Sequence, residues 1–248
     1  MVNQSNVILA LIGGILPAFV WLVFWLREDK AHPEPRPLIA FIFLGGAVSV
    51  GVAFMVQDLV HGLWWQNLKT FEQLRQANLH QLVPYVFSSA MIEELIKYVV
   101  VALLALSTRF YDEPIDAMIY LITVSLGFAA AENSLFMLNA LADSPSQVNF
   151  WLSGNFRFVG ATIVHIVSSS VLGGFIALAF CKTRVKQFLA LVGGLLAATA
   201  LHASFNYFII KSGDGEILRV FLLLWALAIV IIYLFEKVKF LVCKNIYE

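Results

Sequence analysis

Three charged side chains, Glu93, Glu94 and Lys97, lie close together in the middle of an apolar segment that runs from Leu82 to Leu106. A charged side chain near the centre of a membrane costs roughly 2.5–3.5 kcal/mol on insertion scales. Because such groups usually serve transport or reaction chemistry, we expect these three to belong to a functional site. A carboxylate there could activate water as a general base or bind a metal ion.

Three further apolar segments carry polar groups of the same kind. They contribute Glu132 beside Asn133, then His165, then His202 with Asn206 one helical turn later. With the first segment they hold three carboxylates and one lysine, which leaves excess negative charge when the histidines are neutral. A low-dielectric site needs that charge to be compensated by protonation or by a divalent cation. Glutamate and histidine suit zinc, and a carboxylate pair that shares a proton could activate water without it; both routes predict hydrolysis.

The elements that must hold these groups are membrane-spanning helices. Hydrophobic residues make up 60% of the 248-residue chain and charged residues 13%, whereas soluble domains have about 45–50% and 25%. The sequence therefore predicts an all-α integral membrane protein, one polytopic domain over residues 1–248. We expect a bundle of about seven transmembrane helices around an intramembrane polar cavity, with spans near 6–26, 38–57, 82–106, 115–138, 157–180, 187–210 and 217–235.

The segment 58–80, between the second and third spans, mixes aromatic and polar residues. It predicts either an interfacial helix with an aromatic anchor or a plain connecting loop. His61 and His80 fall in this segment, and His32 falls in the preceding loop. None of these three histidines is assigned a role.

The basic residues of the loops predict the orientation in the membrane. With the N-terminus outside, the inner loops and tail hold Arg27, Lys30, Arg36, Arg109, Lys182, Arg184, Lys186, Lys237, Lys239 and Lys244. The outer side then holds Lys69, Arg75, Arg157, Lys211 and Arg219. This excess predicts an outside N-terminus and a cytoplasmic C-terminus. Cys181 and Cys243, far apart in sequence beside basic clusters, predict reduced thiols rather than a disulfide. The zero net charge gives no sign of a nucleic-acid partner.

The depth of the polar groups follows from the helical rise of about 1.5 Å per residue. Counted from the outer ends of the spans, Glu93 lies roughly 16 Å deep, His165 and His202 roughly 12 Å, and Glu132 roughly 9 Å. These similar depths predict that the four side chains line one cavity, which opens toward the outer face.

The polar and small residues of these spans also have structural interpretations, which compete with a functional site. Glu93, Glu94 and Lys97 could form a buried ion network, although Glu94, which points about 100° away from Glu93, would then stay unpaired. The serines 168–170 and the paired glycines, such as Gly45-Gly46, are typical of closely packed membrane helices.

Four motifs follow one another along the chain: Glu93-Glu94-x-x-Lys97, Phe128-x-x-x-Glu132-Asn133, His165, and His202-x-x-x-Asn206. This ordered set, preceded by a proline-rich segment at 34–37, resembles the PrsW family of intramembrane proteases, over roughly residues 20–240. That family looks distantly related to the CAAX prenyl endopeptidases and the bacterial Abi/CPBP proteins. Those proteins carry an arginine near the place of Lys97, one residue later, and a histidine in place of Glu132.

The resemblance implies a multi-pass protein of the bacterial inner membrane. It further implies cleavage of a membrane-anchored protein, such as an anti-sigma factor, near the extracytoplasmic face. We therefore predict an intramembrane peptidase in which Glu93 activates water. Glu94 supports or replaces Glu93, Lys97 balances their charge, and Asn206 donates to the oxyanion or to a neighbouring ligand.

Glu132, His165 and His202 are predicted to bind zinc or, without a metal, to position the water. The main alternative function is a proton- or cation-coupled transporter, because buried Glu, His and Lys side chains also build proton relays. Against it, the chain shows no inverted repeat. A non-catalytic scaffold is a third possibility, but it would not need polar groups at all four motifs.

Overall fold

The computed structural model of the protein describes residues 4–28, 33–68, 70–143, 160–212 and 216–241. These residues form eight α-helices and no strand. The helices are α1 (Gln4–Glu28), α2 (Arg36–Trp64), α3 (Phe71–Gln76), α4 (Leu79–Val101), α5 (Asp116–Asp143), α6 (Thr162–Leu178), α7 (Arg184–Lys211) and α8 (Ile217–Lys239). A π-helical turn, Ala102–Leu106, continues α4.

Each of the seven predicted spans overlaps one of these helices. Helices α1, α2, α5, α7 and α8 are long and apolar enough to cross a membrane. Helix α4 carries the three charged side chains, and α6 is a shorter apolar helix. The all-α membrane fold is thus confirmed. The orientation remains a prediction, and Lys30, Lys69, Arg157 and Lys244, which contribute to it, lie outside the described residues.

Local sequence explains how α3 and α4 begin. The Thr70 side chain accepts from the backbone N–H of Gln73, whose own side chain accepts from the backbone N–H of Thr70. Asn78 and Gln81 repeat this exchange at the start of α4. Such capping boxes satisfy N–H groups that have no partner within the helix. They fix the point at which α4 starts and therefore the register of its charged residues.

Helix α5 forms the centre of the bundle, since 72% of its most apolar stretch is buried, against 17% for α8. It packs against α1, α2 and α6, while α7 packs against α4 and α6. A Cβ atom on Gly127 would collide with the Phe43 carbonyl oxygen, and one on Gly46 with the Val124 carbonyl oxygen. These glycines therefore let α5 and α2 approach closely, as the packing interpretation of Gly46 predicts.

Two expectations for this part of the chain are wrong. Helix α2 continues to Trp64, so His61 lies in its last turn, and His80 lies in the first turn of α4 rather than in a loop. Cys181 is disulfide-bonded rather than reduced, because distance along the chain does not limit distance in a helical bundle. The other cysteine, Cys243, lies outside the described residues.

The disulfide bears on the orientation. Disulfides are rare in the reducing cytoplasm, yet the count of basic residues assigns the loop of Cys181 to the cytoplasmic side. The two observations favour opposite orientations.

Candidate active site

Glu94, on α4, is fully buried and has hydrogen bonds to both of its carboxylate oxygens. Its Oε1 atom accepts from Lys97 Nζ at 2.8 Å, from His202 Nδ1 at 2.9 Å and from Ser168 Oγ at 2.9 Å. Its Oε2 atom accepts from Ser169 Oγ at 2.9 Å. These donors belong to α4, α6 and α7, so one carboxylate joins three helices. With both oxygens engaged, Glu94 is better placed to orient its neighbours than to take a proton from water.

Lys97 is also fully buried and extends the network to α5. Its ammonium group lies 2.9 Å from His165 Nδ1 and 4.7 Å from the centre of the Phe128 ring. Because an ammonium group can only donate, Nδ1 accepts and the ring proton resides on Nε2. The Nε2 atom then donates to Glu132 Oε2, which lies 2.8 Å away.

His202, on α7, is held by the Glu94 carboxylate. Because a carboxylate can only accept, Nδ1 carries a proton, and Nε2 of the neutral ring then has a free lone pair. That Nε2 atom lies 3.7 Å from Glu93 Oε2. A carboxylate bonded to the second ring nitrogen is the usual way in which proteins orient a metal-binding histidine.

Glu93 presents one oxygen that has no partner. Its Oε1 atom accepts from Gln57 Nε2 of α2 at 2.9 Å. Its Oε2 atom is buried and has no hydrogen bond within the described part of the chain. Leaving a buried carboxylate oxygen without a partner is costly, and each such atom in a native fold calls for an explanation.

A metal ion fits this arrangement. Ligand atoms of Glu93, His165 and His202 lie within 4.8 Å of one another, and all three side chains are buried. In a tetrahedral zinc site with bonds of about 2.0–2.1 Å, ligand atoms lie about 3.4 Å apart. Small side-chain shifts would therefore allow the three groups to hold one ion, which would also use the free oxygen of Glu93 and offset the excess negative charge.

The structure brings together six of the seven side chains that the sequence singles out: Glu93, Glu94, Lys97, Glu132, His165 and His202. Glu132 is the most accessible of them, with 23% of its side chain exposed. The compact metal-ligand set contains Glu93 where the sequence suggested Glu132. Asn206 is only partly buried and makes no side-chain hydrogen bond within the described residues.

Sequence reasoning missed three contributors to the site. Ser168 and Ser169, interpreted as packing residues, bond to Glu94. Their spacing of three and four residues after His165 places them on its helix face, which is a usable signal. Gln57 belongs to none of the four motifs, although an amide inside an apolar span is itself unusual.

Comparison with known proteins agrees with the geometry. Residues 34–234 match the family described as PrsW family intramembrane metalloprotease. The chain belongs to the PrsW family. Three relatives, each named Protease PrsW, illustrate the range of similarity within it.

The relative from Oceanobacillus iheyensis is 26% identical over 88% of this chain and 91% of its own. The relative from Clostridioides difficile is 23% identical over 89% of this chain and 83% of its own. The match to the Geobacillus kaustophilus relative is 27% identical but spans only about half of each chain, 51% in both cases. No solved structure matches this chain significantly.

This PrsW family member is therefore a multi-pass membrane protein and an intramembrane protease, as the motif resemblance predicts. A lipid bilayer and a protein substrate follow from that activity. The transporter alternative is not supported.

Proposed function

We propose that this PrsW family protease hydrolyses membrane-anchored proteins at a metal centre held by Glu93, His165 and His202. The observation that supports this assignment best is the unpartnered Oε2 atom of Glu93, buried beside the free Nε2 atom of His202. Zinc is the metal we propose, because one carboxylate and two imidazoles are a common set of ligands for catalytic zinc. When bound, it would supply Lewis-acid activation of water and of the scissile carbonyl.

We assign water activation to Glu132 and metal binding to Glu93. The sequence suggested the reverse assignment. A metal would bind the lone pair of a neutral imidazole, so His165 could offer Nε2 only if its ring proton moved to Nδ1 and the Lys97 ammonium group turned away from that atom. Glu132 would then lose the hydrogen bond from His165 while remaining next to the centre. The Glu132 side chain is 23% exposed, whereas that of Glu93 is 8% exposed. Glu132 is therefore the more accessible of the two carboxylates to water. A carboxylate in that position suits a general base.

The other polar residues orient and complete the site. Glu94 holds His202 in the tautomer that leaves Nε2 free, and Lys97 offsets the charge of the Glu94 carboxylate. Asn206, one turn beyond His202 and with no side-chain hydrogen bond to the described residues, is proposed to donate to the developing oxyanion.

The substrate class and the face of cleavage are also proposals. The resemblance of the motifs supports a membrane-anchored substrate such as an anti-sigma factor. The sequence-based depth estimate supports cleavage near the extracytoplasmic face, provided that the N-terminus is outside. A fluorescent protein fused to the C-terminus tests this orientation, because green fluorescent protein exported unfolded across the bacterial inner membrane stays dark. Bright cells would support a cytoplasmic C-terminus, and dark cells with full-length fusion would refute it.

Metal analysis of purified variants tests the ligand assignment. We expect about one zinc per chain in the wild type, loss of zinc in Glu93→Gln and His202→Ala, and retained zinc without cleavage in Glu132→Gln. Glu72→Gln, an exposed carboxylate on the short helix α3, serves as the control and should keep both zinc and cleavage.

Two results would contradict the proposal. Zinc that is retained by Glu93→Gln and lost from Glu132→Gln would restore the assignment suggested by the sequence. A metal-free preparation that still cleaves its substrate would refute the metal centre itself.

A further inference from the structure

Gln57, on α2, donates a hydrogen bond to one of the carboxylates of the site. Its amide nitrogen lies 2.9 Å from Glu93 Oε1 and 3.3 Å from the backbone oxygen of Ser89. An amide group has two N–H bonds, so both acceptors can be served at once. The opposite orientation of the amide would place its oxygen against a carboxylate oxygen and a carbonyl oxygen, which excludes it.

These two bonds determine which oxygen of Glu93 stays free. Glu93 Oε1 is engaged by the amide, while Oε2 has no partner among the described residues and faces His202. The Ser89 bond anchors the amide to the backbone of α4, one turn before Glu93. Rotation of the Glu93 carboxylate would break the bond to Gln57.

The cost of a polar side chain in a membrane helix supports a specific role. Around Gln57, the residues Phe54, Met55 and Val56 are exposed on the outside of the bundle, as expected for a lipid-facing segment. Polar residues in such surroundings are expensive and are usually functional.

We infer that Gln57 is a positioning residue that fixes the Glu93 carboxylate so that its Oε2 atom serves the reaction centre. The inference rests on the proposed role of Glu93. It adds α2 to the helices that build the site, although no recognised motif lies there. Outer-shell partners of this kind typically change metal affinity or activity by 10–100-fold when removed.

The test compares Gln57→Met with the matched control His61→Phe. Methionine keeps the length and shape of glutamine but cannot donate. His61 lies one turn further along α2, stacks on Tyr85 with ring centres 4.0 Å apart and contacts Ser88 and Ser89 of α4. Phenylalanine would keep the stacking and lose those polar contacts, so it perturbs the same interface between helices without touching Glu93.

Two quantities are measured: zinc affinity in competition with a chelator, and steady-state cleavage of a membrane-anchored anti-sigma factor reconstituted with the enzyme in liposomes. We expect Gln57→Met to lower the zinc affinity and kcat by about 10–100-fold with KM nearly unchanged. We expect His61→Phe to stay within about threefold of the wild type on both readouts. If Gln57→Met fails to fold, Gln57→Asn, whose amide is one methylene too short, should show the same losses.

Wild-type behaviour of the Gln57 variants, or equal losses in His61→Phe, would overturn the inference. Failure of this inference about Gln57 is distinguishable from failure of the proposed metal centre. If the active wild type holds no zinc, the metal proposal fails, and a fall in kcat confined to the Gln57 variants still supports positioning of Glu93. Unchanged kcat in that case overturns both.

Discussion

Replacing Glu94 by leucine should destabilise the protein severely, because it leaves the Lys97 ammonium group buried without its carboxylate. Both side chains are fully buried, with 2.8 Å between Lys97 Nζ and Glu94 Oε1. Breaking a buried ion pair by removing one partner costs about 3–5 kcal/mol. Ser169 also loses its acceptor, which adds about 1 kcal/mol or more. We therefore expect Glu94→Leu to lower the free energy of unfolding by about 4–6 kcal/mol.

The double variant Glu94→Leu with Lys97→Met should recover part of this loss. Replacing both members of a buried pair by apolar side chains avoids the stranded charge and is often far less costly than replacing one. The free energies of unfolding of the two single variants should therefore not add, and their coupling should amount to at least about 2 kcal/mol. Cleavage should remain absent in the double variant, since His202 has lost the carboxylate that orients it.

The assay is unfolding in mixed micelles of increasing dodecyl sulfate content, followed by fluorescence of the six tryptophans. The exposed pair Glu236–Lys239 provides a matched control. It has the same spacing of three residues and a 2.6 Å distance, but its side chains are 44% and 19% exposed. Glu236→Gln should cost less than about 1 kcal/mol. A loss below about 1 kcal/mol in Glu94→Leu, or additive single variants, would refute the reasoning.

Three further outcomes are expected. Gly127→Val should unfold far more readily than Gly51→Val, measured by the same titration, because a Cβ at Gly127 meets the backbone of α2 whereas one at Gly51 meets open space; equal stability would contradict the close crossing. Replacing Ser168 and Ser169 together by alanine should lower both stability and zinc affinity, since Glu94 loses two donors, and unchanged zinc affinity would separate Glu94 from the centre. Asn206→Leu should lower kcat by about 10²–10³-fold while zinc content stays at the wild-type level; loss of zinc instead would make Asn206 part of the metal site.

The membrane fold and the composition of the polar cluster could be predicted because both depend on strong local signals. Long apolar segments define the helices, and a charged group within such a segment stands out against a large free-energy cost. Similar depth estimates sufficed to predict that Glu93, Glu132, His165 and His202 meet. Helical spacing alone, however, suggested that Glu94, which points away from Glu93, would stay unpaired in a buried ion network, whereas it forms the centre of the network.

The partners of these groups could not be read from the sequence. Serine is common in membrane helices, so Ser168 and Ser169 do not stand out in the sequence. Glutamine in a span is costly, but its presence does not reveal that Gln57 contacts a carboxylate on another helix. The sequence predicts the end of α2 seven residues too early because polar residues near a helix end resemble a loop. His61 is therefore predicted to lie in a loop, although it belongs to the last turn of α2. Cys181 shows the same limitation, since contacts between helices distant in sequence have no local signature.

The hydrogen bonds to Glu94 also affect the stage of synthesis at which the protease can become active. The residue on α4 reaches its full set of donors only after α6 and α7, which come later in the chain, have docked beside it. A partly synthesised or partly inserted chain therefore has no oriented His202 and, under the proposed mechanism, cannot cut its neighbours. The order of assembly thus gives a protection comparable to that of a removable propeptide, and hydrolytic competence becomes a property of the finished bundle.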